Sequence, residues 1–358
     1  MNKKMAYIMH VDWNWIKQRP HFLAEHLTDY YDLDIFYIKN YAIKGLIKNQ
    51  AKVNIYKLNK IPLSGKIPFL RKIEKSINKK VLNKVYSSDY DYIWISSPII
   101  LGFIDLERLQ NKKIVYDCMD NLLEFYKEGI IRQYLHEAEK KLLGKAKVIF
   151  TSSEQLKKVI VNKGVNKEAI VLNNGIEPES LLKLSIVNIV NKKRNLFNIV
   201  YFGTISKWFN FNLLLELLEI HKDIMFTLIG PTDILVPKNE RIRYIGAVEH
   251  SKLQEYALEA DAFIMPFILN DLILSVDPVK VYEYIAFMKP TFVIRYNETE
   301  KFKDFVYLFD ALEDLSRMIN TVKKEAKYIS NEVEVKKFIE KNSWSQRTKE
   351  VKCILDRI

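Results

Sequence analysis

Strand-like apolar runs alternate with segments of helical periodicity along most of the chain, and this alternation constrains the fold more than any other feature. It favours an α/β fold, in which a parallel sheet carries helices on both faces. The predicted strands are Ala6–Met9, Leu33–Ile38, Val53–Lys57, Tyr92–Ser96, Lys113–Asp117, Val148–Thr151, Ile170–Leu172, Phe197–Phe202, Met225–Ile229, Ile242–Ile245, Ala262–Pro266 and Thr291–Ile294. The predicted helices include Arg19–Leu27, Gly129–Leu143, Ser153–Asn162, Asn212–Ile220, Ser251–Glu259 and Val279–Phe287.

The alternation restarts at Phe197, after the polar stretch Asn188–Arg194, which has no regular period. A chain of 358 residues is also long enough for two domains. We therefore predict two Rossmann-like, doubly wound domains, residues 1–187 and 188–342, facing each other across a cleft. Ligands of such sheets bind beyond the carboxyl ends of the strands, so the site is expected in the cleft.

The formal charge of +12 is concentrated in the first half of the chain. Residues 1–180 hold 30 Lys and Arg against 20 Asp and Glu, whereas residues 181–358 hold 26 against 24. The first half therefore favours an anionic partner or surface. No stretch reaches the roughly 18–20 apolar residues of a membrane span. Ala6–Met9 is too short for a signal-peptide core, so we expect the first buried strand of a cytoplasmic protein.

The segment Pro62–Tyr86 interleaves basic and apolar residues at helical spacing, with Glu74 as its only acid. This pattern predicts a basic amphipathic helix. It is typical of a surface helix that packs its apolar side on the sheet, and equally of a helix that contacts a membrane surface. Both interpretations hold together if the basic side meets anionic lipid.

The run from Asp277 to Ala286 predicts a loop that leads into a helix with an anion site at its start. Asp277 can cap this helix, Pro278 suits its first turn, and Val279 begins its periodic part. Lys280 and Glu283 are three residues apart and share one face. A helix start with a lysine attracts phosphate, and a carboxylate can accept two hydrogen bonds from a ribose diol. The run therefore indicates a nucleoside-diphosphate site.

Three strand ends with glycine belong to the same half of the chain. Gly203 lets the backbone approach a ligand, and Lys207 can reach a diphosphate from the following loop. Gly230 ends a second strand. At the end of the third strand, backbone groups of Ile245 or Val248 could form hydrogen bonds with the edge of a nucleotide base. Ordinary turn chemistry is the alternative explanation for the last two glycine turns.

In this order the motifs of the second half resemble the nucleotide-binding half of GT-B glycosyltransferases. The resemblance is greatest to bacterial teichuronic-acid and capsule-type transferases of the broad glycosyltransferase family 4, which have Asn-Pro-Val-Lys-x-Tyr-Glu-Tyr in place of Asp277–Tyr284. Further similar segments extend over the rest of the chain: Trp15–Leu23, Val115–Asp120, Asn173–Ile176 and Ser343–Ser345. One position departs from the pattern: Ser275 stands where many retaining members have a glutamate that holds the donor sugar.

The resemblance implies a cytoplasmic enzyme on the inner face of the plasma membrane, active in cell-surface polysaccharide synthesis. It would transfer sugar from a nucleoside-diphosphate sugar, expected to be UDP-linked, to a saccharide or polyprenyl-diphosphate-linked acceptor. No metal or other cofactor is expected, because positive side chains can replace a metal at the diphosphate. The C-terminal helix, residues 343–358, would pack back on the first domain.

Acceptor residues are predicted at two strand ends of the first half. Inverting transfer needs a general base, and Asp120 is the first candidate because a similar Tyr-x-x-x-Asp setting supplies the base in the related inverting glucuronosyltransferase of xanthan assembly. The alternative is that Asp120 caps a helix beginning at Leu122. His10 could bridge the donor phosphate or be an ordinary strand-end histidine. Arg19 could bind an acceptor phosphate or pair with an acid. The remaining candidates for acceptor contact are Asp12 and Asn121.

Two other functions compete with this interpretation. A sugar-nucleotide 2-epimerase shares the two-domain fold, but it would need catalytic carboxylates and a histidine around the diphosphate. A nucleic-acid-binding protein is suggested by charge alone, and the chain lacks a basic stripe with stacking aromatic residues. The two cysteines, Cys118 and Cys353, show no metal-ligand spacing.

Overall fold

The computed structural model describes residues 3–41, 53–65, 67–109, 111–164, 167–178, 196–249, 252–325 and 328–358. The chain divides into two compact units. Unit 1 comprises Met1–Asn173 and Arg347–Ile358, and unit 2 comprises Asn174–Gln346. The chain thus passes between the units twice, after Asn173 and after Gln346. The boundary predicted at residue 188 and the polar stretch around it lie outside the described residues.

Unit 1 is built on a parallel sheet of seven strands in the order β3-β2-β1-β4-β5-β6-β7. At its centre Ile8 pairs with Phe36 on one side and with Ile95 on the other. The strand order reverses direction between β1 and β4, which makes the carboxyl ends of these two strands the ligand-binding position of the fold. The strands are β1 (Lys4–Met9), β2 (Asp32–Lys39), β3 (Asn54–Asn59), β4 (Tyr92–Ile95), β5 (Lys113–Cys118), β6 (Val148–Thr151) and β7 (Ala169–Val171).

The helices of unit 1 cover this sheet, and its central strands are consequently buried on both faces. Near-continuous apolar strands such as β1 and β4 follow from that burial. The helices are α1 (Arg19–Leu27), α2 (Pro68–Ile77), α3 (Lys79–Ser87), α4 (Ile130–Lys145) and α5 (Glu154–Val161), with short 3-10 helices at Pro98–Gly102, Leu106–Leu109 and Leu122–Phe125.

Unit 2 repeats the design with a parallel sheet of six strands in the order β10-β9-β8-β11-β12-β13. Its order reverses between β8 and β11. The strands are β8 (Phe197–Phe202), β9 (Ile224–Ile229), β10 (Ile242–Gly246), β11 (Ala262–Met265), β12 (Thr291–Ile294) and β13 (Tyr307–Phe309). The helices are α6 (Phe211–Ile220), α7 (Leu253–Glu259), α8 (Asp271–Leu274), α9 (Val279–Ala286), α10 (Leu312–Glu325) and α11 (Glu332–Lys341), with a 3-10 helix at Glu300–Phe302. The last helix, α12 (Trp344–Leu355), begins in unit 2 and belongs to unit 1 from Arg347 onward.

The predicted α/β fold with two Rossmann-like parallel sheets is confirmed, and each predicted strand is present. Strand β13 and helices α8, α10 and α11 were not predicted. Strand β13 has three residues, too few to show a period. Helix α10 does carry the signal, because its buried Leu315, Ile319 and Val322 recur at helical spacing. The start predicted for α7, Ser251, lies outside the described residues.

The prediction of one continuous helix over Pro62–Tyr86 is wrong, because the chain forms α2 and α3 with a break at Asn78. The buried side chain of Asn78 donates to the carbonyls of Glu74 and Asn59, and its oxygen accepts the N–H of Asn59. These side-chain bonds tie the junction between α2 and α3 to the end of β3. No helix within the described ranges has the length and hydropathy needed to cross a bilayer.

Two glycines bring the ends of β8 and β9 into close contact. The N–H of Gly203 donates to the carbonyl of Ile229 over 2.9 Å. Gly203 and Gly230 have φ of +155° and +141°, in the region that side chains disfavour. A Cβ atom at position 230 would lie 1.9 Å from the carbonyl oxygen of Gly203. The turn beyond β8 therefore needs glycine at both strand ends.

We expect Gly230→Ala to destabilise unit 2 by about 2 kcal/mol or more, because the new methyl group meets rigid backbone in a strained conformation. Thermal unfolding of the purified protein measures this loss. Gly144→Ala, in an exposed turn of α4 with open space around the new atom, is the matched control. The control should be neutral or stabilising by up to about 1 kcal/mol. Equal stability of the two variants would contradict the steric argument.

Candidate functional site

Helix α9 is fastened to the last residue of β8, at the point where the strand order of unit 2 reverses. The Tyr284 hydroxyl accepts the N–H of Phe202 and donates to its carbonyl, each over 3.1 Å. The Tyr284 ring stacks on Phe263 of β11 with 4.7 Å between centroids. One tyrosine thus places the start of α9 beside the carboxyl ends of the two central strands.

Lys280 and Glu283 form an ion pair on the first turns of α9. The Lys280 ammonium lies 3.2 and 3.1 Å from the two carboxylate oxygens of Glu283. The ammonium also stands 5.4 Å from the centre of the Phe202 ring. The two residues therefore share one face, as their spacing predicted, and this face lies beside the end of β8. The pair offers a positive and a negative group side by side at a helix start.

Asp277 does not cap helix α9, contrary to the prediction. The helix begins at Val279 with Pro278 in the N-cap position, and no side chain caps it. The buried Asp277 carboxylate instead accepts the N–H of Asn174 over 2.5 Å, the hydroxyl of Tyr282 over 3.1 Å and the ammonium of Lys301 over 2.7 Å. With these partners the carboxylate faces into the protein rather than toward the first turn of the helix.

The other predicted nucleotide residues of unit 2 lie around the same strand ends. Ile245 and Val248 are half-buried and pack on the apolar cluster that contains Phe202 and Tyr284. Lys207 is exposed in the loop between β8 and α6. Ser275 is buried, and its hydroxyl donates to the carbonyl of Asp271 over 2.9 Å. Its side chain therefore serves the end of α8.

His10 stands at the matching position of unit 1, where β1 ends next to β4. Its Nδ1 atom lies 2.9 Å from Ser96 Oγ, and its N–H donates to the same oxygen over 3.2 Å. Burial, followed by the nearby His21, lowers the pKa of His10 to about 4. The ring is therefore neutral at pH 7 and carries one hydrogen that it can donate.

The loop after His10 is held by a buried carboxylate and a buried imidazole. Asp12 accepts the N–H groups of Asn14 and Asn40 and pairs with Lys39, each over 3.0 Å. Because Asp12 is buried, it would have to become accessible to contact an acceptor as predicted. His21 Nδ1 accepts the N–H of Gln18, so Nε2 carries the hydrogen and donates to the Asp12 carbonyl. Burial lowers the pKa of His21 to about 4.

Arg19 pairs with a buried acid, the second of the two predicted alternatives. Its guanidinium donates to both carboxylate oxygens of Asp117, with the shortest distance 2.8 Å. Both side chains are buried, so the pair compensates two charges that would be costly alone. Because the Arg19 side chain is buried, the structure does not present it to an acceptor phosphate.

Asp120 is half-buried just beyond β5, close to this ion pair. Burial raises the pKa of Asp120 to about 6, with a further rise from Asp117 and an opposing effect of Arg19. The N-cap of the 3-10 helix that begins at Leu122 is Asn121, whose side chain makes no capping bond. Asp120 therefore does not occupy the capping position, and its carboxylate is suited to exchange a proton near neutral pH.

Sequence reasoning missed Ser96 and did not give Asn174 an individual role. Ser96 was assigned to the end of a strand, and the signal available was its position after β4, the neighbour of β1. Asn174 was quoted only within a family-like segment, and its contact with Asp277 spans 103 positions. Within the described ranges, no group of three or more His, Cys, Asp or Glu could hold a metal ion.

No protein-family model and no curated protein matches the sequence. Solved structures match it over its length. They include sucrose-phosphate synthase from Thermosynechococcus elongatus (TM-score 0.73, 12% identity, 99% of each chain covered). They also include Anabaena Alr3699/HepE in complex with UDP and glucose (TM-score 0.74, 12% identity, 100% of each chain). An α,α-trehalose-phosphate synthase (UDP-forming) from Burkholderia vietnamiensis has a TM-score of 0.65 at 10% identity, over 99% of this chain and 100% of that chain. These likenesses show that the chain has the α/β fold of GT-B glycosyltransferases.

Proposed function

We propose that the protein is a glycosyltransferase that takes a sugar from a UDP-sugar bound by unit 2. The observation that carries this proposal is the Lys280–Glu283 pair, which Tyr284 holds beside the end of β8. This place, where the strand order reverses, is the ligand position of doubly wound sheets.

The chemistry of the pair suits a nucleoside diphosphate. On binding, the Lys280 ammonium turns to the diphosphate, and the N-terminal N–H groups of α9 add positive potential. Glu283, released from Lys280, accepts hydrogen bonds from the two ribose hydroxyls. These fixed positive groups stabilise the charge that develops on the leaving diphosphate. Gly203 lies at the same strand end, and Lys207 is within the adjoining loop.

The structural neighbours support a uridine donor. Alr3699/HepE is also known in complex with UDP-glucose, and the Burkholderia synthase is described as UDP-forming. For the acceptor we propose a saccharide or a polyprenyl-diphosphate-linked saccharide of the cell envelope, in keeping with the sequence resemblance to teichuronic-acid and capsule-type transferases. The epimerase alternative is not favoured, because the neighbours named above are glycosyltransferases.

Asp120 is the proposed general base of the transfer. A base with a pKa of about 6 is largely ionised at pH 7 and still takes up a proton readily. The neutral His10 would donate a hydrogen bond on the same edge of the sheet in unit 1. With Arg19 engaged by Asp117, we assign the acceptor chemistry of this edge to Asp120.

The segment from Leu63 to Lys80 is proposed to rest on anionic lipid. Leu63, Phe69 and Ile77 are 61%, 69% and 53% exposed, so these apolar side chains do not pack on the sheet. The lysines interleaved with them are also exposed: Lys72, Lys75, Lys79 and Lys80. Exposed apolar groups among positive charges are complementary to the interface of an anionic bilayer. The enzyme would then be peripherally bound at the cytoplasmic face of the membrane.

We expect the protein to bind UDP in calorimetric titration more tightly than GDP, ADP or CMP, and Glu283→Ala to weaken UDP binding by about 10- to 100-fold. The loss follows from two charge-assisted hydrogen bonds to the ribose. Glu313→Ala, an exposed glutamate on α10, is the matched control and should bind like the wild type. Tight binding of GDP would change the donor. Absence of nucleotide binding by folded protein would refute the proposal.

We expect Asp120→Asn to keep UDP affinity and to lose turnover by about 100-fold or more, since the amide cannot accept the acceptor proton. Release of UDP from UDP-sugars, with cell-envelope lipid extract as acceptor, measures turnover. In the wild type, kcat/KM should fall tenfold per pH unit below about pH 6, because the raised pKa leaves Asp120 protonated there. A flat pH profile, or an active Asp120→Asn variant, would exclude Asp120 as the base.

We expect Phe69→Glu to reduce co-sedimentation with vesicles of anionic lipid, because a charge replaces an apolar group at the bilayer interface. Leu235→Glu is the matched control, since Leu235 is 94% exposed in unit 2. Wild-type binding should weaken with added salt and be lost on vesicles of neutral lipid. Equal sedimentation of both variants with the wild type would contradict this docking surface.

A further inference from the structure

Asn174, the first residue of unit 2, is hydrogen-bonded to Asp277, which lies just before helix α9. Its backbone N–H donates to the Asp277 carboxylate over 2.5 Å, and its side-chain amide donates to the Asp277 carbonyl over 2.7 Å. Asp277 is two residues before the helix begins. We propose that Asn174 and Asp277 are positioning residues that couple the nucleotide-binding end of α9 to the places where the chain passes between the units.

Ile176 connects this contact to the second place where the chain passes between the units. The N–H of Ile176 donates to the Asn342 carbonyl over 2.9 Å, and the N–H of Trp344 donates to the Ile176 carbonyl over 3.0 Å. Gly175 lies against Trp344, where an added Cβ would be 3.0 Å from the indole ring. Both passages are therefore joined by hydrogen bonds within unit 2, and Asn174 connects them to α9.

Asp277 is held firmly enough to transmit a displacement. Its carboxylate is buried, and besides Asn174 it contacts the Tyr282 hydroxyl and the Lys301 ammonium. Tyr282 belongs to α9, five residues after Asp277. Loss of Lys301 would leave a buried charge uncompensated, and loss of either hydrogen-bond donor would leave a buried oxygen short of a partner. The arrangement therefore resists partial opening. A shift of the first turn of α9 therefore moves Asp277, and with it Asn174.

This coupling builds on the proposed nucleotide site and adds a consequence for it. When Lys280 and Glu283 leave each other to hold a nucleotide, the first turn of α9 becomes ordered by the ligand. The segment Asn174–Ile176 does not belong to the ion-pair face, yet its backbone bonds open together with that turn. Binding at α9 should therefore reduce the opening of a segment that does not itself touch the nucleotide.

Hydrogen–deuterium exchange of the full chain, with and without UDP, tests this coupling at peptide resolution. We compare the wild type with Asn174→Ala, which removes the side-chain bond to the Asp277 carbonyl and leaves the backbone bond in place. Asn331→Ala is the matched control, because Asn331 caps α11 and its side chain bonds Glu334. This control removes an equivalent side chain from the same unit. It therefore shows how much a general loss of stability changes the exchange rates.

In the wild type, UDP should slow exchange about threefold or more in peptides covering both 279–284 and 174–177. In Asn174→Ala the slowing should persist at 279–284 and disappear at 174–177, and without UDP the variant should exchange faster in both peptides. Asn331→Ala should match the wild type in these peptides. Slowing confined to 279–284 in the wild type would overturn the coupling, and so would equal behaviour of the two variants.

The same data separate this coupling from the nucleotide function. If UDP slows exchange in neither peptide, the proposed uridine site fails. The coupling is then decided in the free protein, where Asn174→Ala must accelerate exchange at the first turn of α9 and Asn331→Ala must not.

Discussion

The contact between the Tyr284 hydroxyl and the backbone of Phe202 determines what unit 2 can do. A tyrosine that both accepts and donates a hydrogen bond at the end of a central strand fixes the helix to the sheet along its axis. Burial of the hydroxyl raises the pKa of Tyr284, so it keeps the hydrogen needed for both bonds. This contact also positions the side chains one helical turn before and after Tyr284. Lys280 is one of them, and its ammonium remains over the Phe202 ring.

Unit 1 carries several ionisable groups near one edge of its sheet, and most of their charges are neutralised within the protein. Two imidazoles remain neutral through burial, and an arginine is matched to an aspartate inside the protein. Removing either member of the Arg19–Asp117 pair alone would leave a buried charge, at a cost of about 3–5 kcal/mol. Against this neutralised background Asp120 differs, since burial raises its pKa without giving it a fixed cation.

The strands and the order of the nucleotide motifs could be predicted because they depend on local pattern. Burial on both faces produces near-continuous apolar runs in β1, β8 and β12, and a helix start after a loop is visible from Pro278 onward. What could not be predicted depends on partners distant in the sequence. Asn78 breaks a helix because Asn59 lies beside it, and Asp277 turns inward because Asn174 and Lys301 reach it. Neither contact can be predicted from the helical periodicity of the sequence.

The Lys280–Glu283 pair also bears on which small anions unit 2 accepts. The Lys280 ammonium already lies 3.1 Å from the Glu283 carboxylate. An inorganic phosphate that drew the lysine aside would leave Glu283 without its cation, so part of the gain would be lost. A molecule that brings an anion together with a pair of hydroxyl groups compensates both side chains at once. If this pair holds the donor as proposed, Glu283 would compete with free phosphate for Lys280, and selectivity would not depend on size.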